Sequence, residues 1–335
     1  MKILITGCAG FIGFHLSNYL LKKNFVVGID NVNDYYSKSL KLSRVKILEK
    51  NPKKKFNFIK IDISNYSKLS RIFKKYKFDI VINLAAQAGV RYSLIHPEKY
   101  VESNLNGFFN ILDLSKKYNI KHLLYASTSS VYGKRNLNNK LSEKDRVDYP
   151  IQFYAATKKS NELMAHAYSS LYKIPTTGLR FFTVYGPWGR PDMSLFKFTK
   201  NILENKKINI FNNGNHVRDF TYVEDVVKIV AQLIKKKPKI KKKVSLNSSN
   251  APYRIINIGY DKPVGLLKFI KILEDVLGKK SKKNFLSLQK GDVIKTQCDT
   301  RELRKIIAIK PTTLEKGISN FVRWYKNYYN IKNNL

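Results

Sequence analysis

Lys2-Ile3-Leu4-Ile5-Thr6-Gly7-Cys8-Ala9-Gly10-Phe11-Ile12-Gly13 decides how the rest of this 335-residue chain is read. An apolar run with β-branched residues passes directly into three glycines spaced three apart, and a helix-period segment follows from Ile12 to Lys22. Glycine at these places permits a tight strand-to-helix turn, close approach of backbone N–H groups to a pyrophosphate, and close packing of helix on strand. The helix N-terminus adds positive potential for the phosphates. A second apolar run, Phe25 to Asp30, ends in a carboxylate 17 residues after Gly13. A carboxylate there accepts hydrogen bonds from adenosine ribose hydroxyls and repels a 2′-phosphate, so the expected cofactor is NAD rather than NADP. Asp62 closes the third run; alone, it reads either as a helix cap or as a group reaching the adenine.

Outward from this start the pattern repeats. Apolar runs at Phe56 to Asp62, Ile80 to Ala85 and His122 to Ser127 alternate with helical segments at Tyr66 to Lys75 and Val101 to Tyr118. Repeated strand-helix alternation with near-continuous apolar strands predicts an α/β fold: a doubly wound parallel sheet covered on both faces. After about Pro175 the alternation loosens into a Gly/Pro/Trp-rich stretch and short elements. Thr221 to Lys235 and Ile255 to Gly259 still read as helix and strand able to return to the sheet. The expected domains are a dinucleotide-binding unit, 1–178, to which 219–259 returns in part, and a smaller discontinuous lobe, 179–218 with 260–335.

Lys+Arg number 63 against 24 Asp+Glu, a formal charge of +39. Such a balance raises nucleic acid as a partner, yet Arg supplies only 12 of the cations and the lysines are scattered from end to end. Lysine is the weaker choice for bidentate base or phosphate recognition. The runs Lys53 to Lys55, Lys235 to Lys243 and Lys279 to Lys283 read as solvated surface, and no specific nucleic-acid partner is expected. Hydrophobic residues at 43% and aromatics at 13% place the chain among folded globular proteins rather than disordered polyelectrolytes. No stretch has the length and apolarity of a membrane helix and no signal-peptide layout is present; a soluble, cytoplasmic protein is expected. Two distant cysteines, Cys8 and Cys298, exclude a disulfide framework and a cysteine-rich zinc site. No metal is expected.

Tyr154-Ala155-Ala156-Thr157-Lys158 places a phenol and an ammonium one helical turn apart on one face. The ammonium lowers the phenol pKa, so the tyrosinate serves as a base near neutral pH. Upstream, Tyr125-Ala126-Ser127-Thr128-Ser129-Ser130-Val131-Tyr132-Gly133 sets hydroxyls at the carboxyl end of a strand, where ligands bind in such sheets. With the glycine start and Thr128, this pair resembles the extended short-chain dehydrogenase/reductases, the sugar-nucleotide epimerase and dehydratase group with a Rossmann domain. Asp30 to Tyr36, Leu84 to Ser93, Arg180 to Met193 and Arg218 to Tyr222 are similar to the UDP-glucuronate 4-epimerases within it, and the likeness runs from about Lys2 to Tyr329.

The resemblance implies a reaction. Tyr154, helped by Lys158 and Thr128, takes the proton of a sugar 4-hydroxyl while NAD accepts hydride from carbon 4; the 4-keto sugar turns over and takes the hydride back on its other face. UDP-glucuronate and UDP-galacturonate are thereby interconverted with tightly held NAD, supplying capsule or other polysaccharide synthesis. The implied cofactor contacts are Gly7, Gly10, Phe11, Ile12, Gly13, Asp30, Asn31, Asp62, Ile63, Ala85, Ala86, Gln87, Asn104, Ser127, Tyr154 and Lys158. The implied UDP-sugar contacts are Arg91, Thr128, Ser129, Ser130, Thr183, Arg190, Arg218 and Asp292. Related decarboxylases and dehydratases carry an acid two positions after the catalytic Thr. Here Ser130 stands there, and neutral hydroxyls donate to a carboxylate where Glu repels it. Arg190, seven residues after Thr183, offers that carboxylate a charge-assisted partner. UDP-N-acetylhexosamine or UDP-hexose 4-epimerisation is the alternative activity, with decarboxylation behind it. A homodimer formed through Val101 to Tyr118 and Tyr154 to Tyr172 is implied by resemblance only.

Overall fold

A computed structural model describes residues 1–52, 55–134, 139–240 and 249–331. Lys53, Lys54 and Lys241 to Lys243, part of the lysine runs above, lie outside the described residues.

The first half alternates as its pattern requires. Strand β1 (Lys2–Thr6) leads to helix α1 (Phe11–Leu20), β2 (Phe25–Asp30) to α2 (Lys38–Glu49), and β3 (Phe56–Lys60) to α3 (Tyr66–Tyr76). β4 (Ile80–Asn83) is followed by α4 (Pro97–Tyr100), a π-helical turn over Val101–Asn106 and α5 (Gly107–Lys117). β5 (His122–Thr128) precedes the long α6 (Phe153–Tyr172) and β6 (Thr176–Phe181). The second half contributes β7 (Thr183–Tyr185), α7 (Ser194–Leu203), β8 (Lys207–Phe211), β9 (Val217–Tyr222), α8 (Val223–Lys235) and β10 (Tyr253–Ile258). It ends with β11 (Pro263–Gly265), α9 (Leu266–Leu277), β12 (Lys282–Leu286), α10 (Arg301–Arg304) and α11 (Leu314–Tyr328).

Seven strands form one parallel sheet in the order β10-β6-β5-β4-β1-β2-β3. β1 shows why the sequence run is uninterrupted: Ile3 and Ile5 enter one core and Leu4 the other, all fully buried. On one face α1 packs against α8, through Phe14 and Leu16 with Val226, Val230 and Leu233. On the other, Leu69, Phe73, Phe108, Ile111 and Ala165 close the second core. Successive strands add to opposite sides of β1, so the chain leaves β1 and β4 in opposite directions and a crevice opens at their carboxyl ends. The Thr6 hydroxyl spans that point, donating to Asn83 Oδ1 at 2.6 Å and accepting the Ala85 N–H at 3.1 Å.

β7, β9 and β11 form a small second sheet, β8 pairs with β12, and α7, α9 and α11 enclose a separate aromatic core around Phe196, Phe220, Phe269 and Phe321. Two of the three expected boundaries, after residues 178 and 218, fall inside strands: β6 continues to Phe181 in register with β5, and β9, which pairs with β7 rather than with the large sheet, begins at Val217. α2 is a helix that its lysine-rich composition hid; the Ser37 hydroxyl caps it, accepting from Leu40 N at 3.2 Å. The expected helix from Val101 is interrupted by the π-helical turn. Within that turn the Asn104 side chain accepts the Gln87 N–H, and a Cβ on Gly107 would lie 2.7 Å from Ile63. Among the described residues no helix is long and apolar enough to cross a membrane, and no cluster of three or more His, Cys, Asp or Glu could hold a metal ion.

Two buried histidines join elements: His122 ties β5 to α8, and His15 ties α1 to the loop after β7. His122 bonds the Ile234 carbonyl at 3.1 Å and the Thr177 hydroxyl at 2.9 Å; His15 bonds the Pro187 carbonyl at 2.8 Å. Burial pushes each down to about 4. An unfolded imidazole, titrating near pH 6.5, then binds protons that the folded one refuses, so stability is full above that value and falls as pH drops toward about 4. Denaturant midpoints should decrease between pH 7 and pH 4.5, each histidine contributing at most about 3 kcal/mol, and His122→Gln should flatten the slope. An unchanged slope in that variant would show that His122 does not titrate on unfolding.

Candidate active site

The crevice at the carboxyl ends of the strands widens into a cavity of about 1070 Å³ running between the large sheet and the second lobe. Its floor is the glycine turn. Gly7 has φ +72°, and a Cβ on it would sit 2.7 Å from the Ala85 nitrogen; on Gly13 a Cβ would lie 2.0 Å from the Gly7 carbonyl oxygen. Only hydrogen fits at either place, and the bare backbone between them lines the cavity with Gly10, Phe11 and Ile12. Asp30 accepts the Ala9 N–H at 3.1 Å on one oxygen and the Val32 N–H at 2.8 Å on the other. Burial raises its carboxyl, and those N–H groups and Lys41 counter the rise. Two bonds leave a carboxylate further acceptor sites for a ribose.

Asp62 is not a helix cap: Asn65 caps α3, accepting Lys68 N at 3.0 Å. Asp62 instead accepts the Asn31 side chain at 2.6 Å and the Ser64 N–H at 2.9 Å, which fixes both Asn31 and Asp62 at the cavity wall beside Ile63. Ala85, Ala86 and Gln87 line the opposite wall. Asn104 does not line the cavity. It stands behind Gln87, accepting that residue's N–H at 2.8 Å and donating to its carbonyl at 3.1 Å and to Thr157 at 3.1 Å, so it braces the wall against α6. The donor-rich glycine turn, the acidic end of β2 and the length of the cavity together fit a dinucleotide.

At the far end α6 delivers Tyr154 in its first turn and Lys158 in its next. Lys158 is buried with its ammonium donating to the Ala126 carbonyl at 3.0 Å, and burial lowers it to about 8. Burial also raises the Tyr154 phenol; the positive charge of Arg190 and a hydrogen bond with the Thr128 hydroxyl pull it back. Thr128 ends β5 in extended backbone and its oxygen accepts the Ser130 N–H at 3.1 Å, which turns Ser129 and Ser130 into the cavity. Ser127 lines the wall, its hydroxyl donating to Glu162 at 2.7 Å. Glu162, on the turn after Lys158, takes a two-pronged bond from Arg180 of β6 at 2.8 Å for each prong.

The second lobe supplies the remaining wall. Thr183 opens β7 and faces the cavity with Arg190. Arg190 is held by Asp192 through bonds of 2.9 and 2.5 Å, and the Tyr35 hydroxyl donates to the same carboxylate at 3.1 Å. Arg91 reaches across the opening to Asp292 at 3.3 Å and lies over the Phe211 ring. Arg218 donates to the carbonyls of Val217 and Ile294, and burial lowers its pKa while the Asp292 charge opposes this. Every expected site residue except Asn104 therefore meets in one cavity.

Tyr35, Lys41, Asp192, Phe211 and His216 share that cavity without having been singled out. Opposite charges two apart in Arg190-Pro191-Asp192 are a signal for one of them. Lys41 was hidden by its many siblings; it lies over the Tyr36 ring, donates to the Asn33 backbone and side chain, and is lowered by burial to about 8. Arg44, three residues on, is fully buried. It donates to Ala9 O and Trp188 O at 2.7 Å each and to the Tyr36 hydroxyl at 2.8 Å, joining the glycine turn to the loop that carries Arg190.

A doubly wound sheet with a dinucleotide cradle at its switch point and a Tyr/Lys pair facing strand-end hydroxyls defines an enzyme of nucleotide-cofactor redox chemistry. The chain belongs to the NAD dependent epimerase/dehydratase family, whose model matches residues 3–259. It is 52% identical over 336 residues to Protein CapI of Staphylococcus aureus, spanning 98% of this chain and 99% of that one. It is 43% identical over 337 residues to a probable UDP-glucuronate 4-epimerase of Rhizobium meliloti, with 98% of each covered. The solved UDP-glucuronic acid 4-epimerase of Bacillus cereus, in complex with UDP-glucuronic acid and NAD, superimposes with a TM-score of 0.88 at 35% identity, over 98% of this chain and 100% of that one.

Gly13→Ala tests the cradle. A methyl 2.0 Å from a backbone oxygen forces α1 away from β1, so the purified variant should carry little dinucleotide, read by absorbance after release from denatured protein, while circular dichroism shows its fold. Wild-type cofactor content would remove the close approach as a requirement.

Proposed function

We propose that this chain is an NAD-dependent UDP-glucuronate 4-epimerase, interconverting UDP-glucuronate and UDP-galacturonate through a 4-keto intermediate. The observation that carries the reading is the convergence of Tyr154, Lys158 and Thr128 with Ser129, Ser130, Thr183 and Arg190 in one cavity. The similarity to proteins named for this activity, over nearly the whole chain, supports it.

Bound NAD supplies a hydride acceptor at carbon 4 that later returns the hydride, so the cycle has no net oxidation. Gly7, Gly10, Phe11, Ile12, Gly13, Asp30, Asn31, Asp62, Ile63, Ala85, Ala86, Gln87 and Ser127 hold it, and Asn104 acts through Gln87. Tyr154 removes the proton from the 4-hydroxyl and restores it after the sugar has turned. The Arg190 charge and the Thr128 hydrogen bond draw the phenol toward its phenolate, and the buried Lys158, one turn further along α6, is the second cation that steadies it. Arg218, Asp292 and Arg91 grip the nucleotide diphosphate end. Ser129, Ser130, Thr183 and Arg190 receive the carboxylate, with no acidic side chain at Ser130 to repel it.

The reading extends to a cytoplasmic homodimer serving polysaccharide synthesis. Its support is a set of exposed apolar side chains on the two helices expected to pair: Phe109 on α5, and Leu163, Leu171 and Tyr172 on α6. Burying such a stripe against a second copy removes apolar surface from water.

Protein incubated with UDP-glucuronate and no added cofactor should form UDP-galacturonate, followed by NMR of the sugar; folded protein that forms none, or that turns over only UDP-glucose or UDP-N-acetylglucosamine, sinks the assignment. Tyr154→Phe should retain NAD yet lose at least about 100-fold in kcat. Lys158→Met should move the acidic limb of the kcat profile upward by about 1 to 3 pH units, since removing a nearby cation raises a phenol's pKa. An unmoved limb would take Lys158 out of that role.

A further inference from the structure

Among the described residues, Arg190 meets hydrogen-bond partners with one edge only. Its Nε and one terminal nitrogen bond the two oxygens of Asp192 at 2.9 and 2.5 Å. A guanidinium has five N–H donors in a rigid plane, and a carboxylate bound to the Nε edge leaves the end-on edge for a second acceptor. The Arg190 side chain keeps 24% of its surface exposed, and the residue lines the cavity.

Asp192 is itself held. The Tyr35 hydroxyl donates to its Oδ2 at 3.1 Å. Tyr35 in turn is wedged: its ring lies 4.9 Å from that of Tyr92, and a Cβ on Gly89, where φ is +102°, would fall 2.1 Å from its hydroxyl. Arg44 fixes the approach to Arg190 from the other side through the Trp188 and Gly189 carbonyls, at 2.7 and 3.4 Å. Two residues between β2 and the end of α2 thus determine both the backbone that leads to Arg190 and the edge that its guanidinium presents.

We propose that Asp192, steadied by Tyr35, is a positioning residue that turns the free edge of Arg190 toward the substrate carboxylate and so keeps that carboxylate from leaving as carbon dioxide. This rests on the uronate reading above. When carbon 4 is a ketone, the bond from carbon 5 to the carboxylate can lie parallel to the carbonyl π system. Its electron pair then flows into the carbonyl, the ketone oxygen becomes an enolate, and carbon dioxide departs. A carboxylate clamped by a fixed guanidinium edge, with the carbon–carboxylate bond held near the carbonyl plane, lacks that overlap. Asp192 also carries the counter-charge for a cation that sits in the cavity before any uronate arrives.

The test uses the NAD-loaded enzyme with UDP-glucuronate, wild type against Asp192→Asn and Tyr35→Phe. Both products are quantified in one reaction: UDP-galacturonate by NMR, and carbon dioxide trapped from substrate labelled in the carboxyl group. Asp192→Asn should raise the ratio of carbon dioxide to epimer by roughly tenfold or more, the scale of one charged hydrogen bond. Tyr35→Phe, which removes one hydroxyl from a surviving pair, should raise it by a smaller factor. Bound NAD and thermal midpoints report the fold of each variant, and a merely structural role would lower both product rates together without moving their ratio. An unchanged ratio in a turning-over Asp192→Asn enzyme overturns the inference and leaves the epimerase assignment standing. Wild-type protein that converts no UDP-glucuronate overturns the assignment and the inference with it.

Discussion

The ion pair between Arg180 and Glu162 holds the reactive end of this molecule in place. Both side chains are buried, so each charge is costly on its own, and two parallel bonds of 2.8 Å offset that cost by joining the opposite charges. It joins β6 to α6 and, through the Ser127 hydroxyl on Glu162, to β5. The Arg180 guanidinium also lies 4.8 Å from the centre of the Tyr132 ring, whose hydroxyl donates to Asn257 of β10. Three strands and one helix are therefore registered by a single charged contact. Thr128 follows Ser127 on β5, the residue paired with Arg180, and Lys158 stands one turn back from Glu162 on α6. Thr128, Tyr154 and Lys158, the side chains proposed to carry the chemistry, sit on regular elements fixed from behind rather than on loops.

Burial then sets their chemistry. Tyr154 and Lys158 are both driven toward their neutral forms by loss of water. What draws the phenol back is the Arg190 charge from the second lobe and the Thr128 hydroxyl from the sheet. The two lobes thus share the tuning of one proton site. The net charge of +39 has little part in this. Among the cations at the cavity, Arg190, Arg91 and Lys158 act through specific partners, Asp192, Asp292 and the Ala126 carbonyl.

The large sheet was legible because both of its faces are buried, which forces apolar residues at consecutive positions and leaves an unmistakable run at β1. Gly7 and Gly13 were legible because only hydrogen fits at those places, and Asp30 because a ribose at the end of β2 calls for a carboxylate. The second lobe was not, because β8 and β12 are short strands with alternating exposure; nor, in the first half, was α2, a helix that carries lysines and whose buried residues include Lys41 and Arg44. Asn104, expected from the resemblance alone, stands one layer behind the wall, bracing Gln87, a distinction that a likeness of segments does not carry. Asp192 and Tyr35 escaped notice because their partner is set by folding; they stand 157 positions apart.

Arg44 carries a consequence for how such a molecule changes over generations. Its guanidinium is buried, with Nε lacking a partner, and apart from one bond to the Tyr36 hydroxyl it spends its other donors on backbone carbonyls of the glycine turn and of the Trp188–Gly189 loop. Carbonyls are common to all residues, so those contacts tolerate sequence drift on either side. They do not tolerate a shift in the path of either backbone. The two halves of this chain are consequently poor candidates for recombination with halves from distant relatives: substrate range can drift by side-chain replacement around the cavity, while exchange of a whole lobe would strand a cation in the interior.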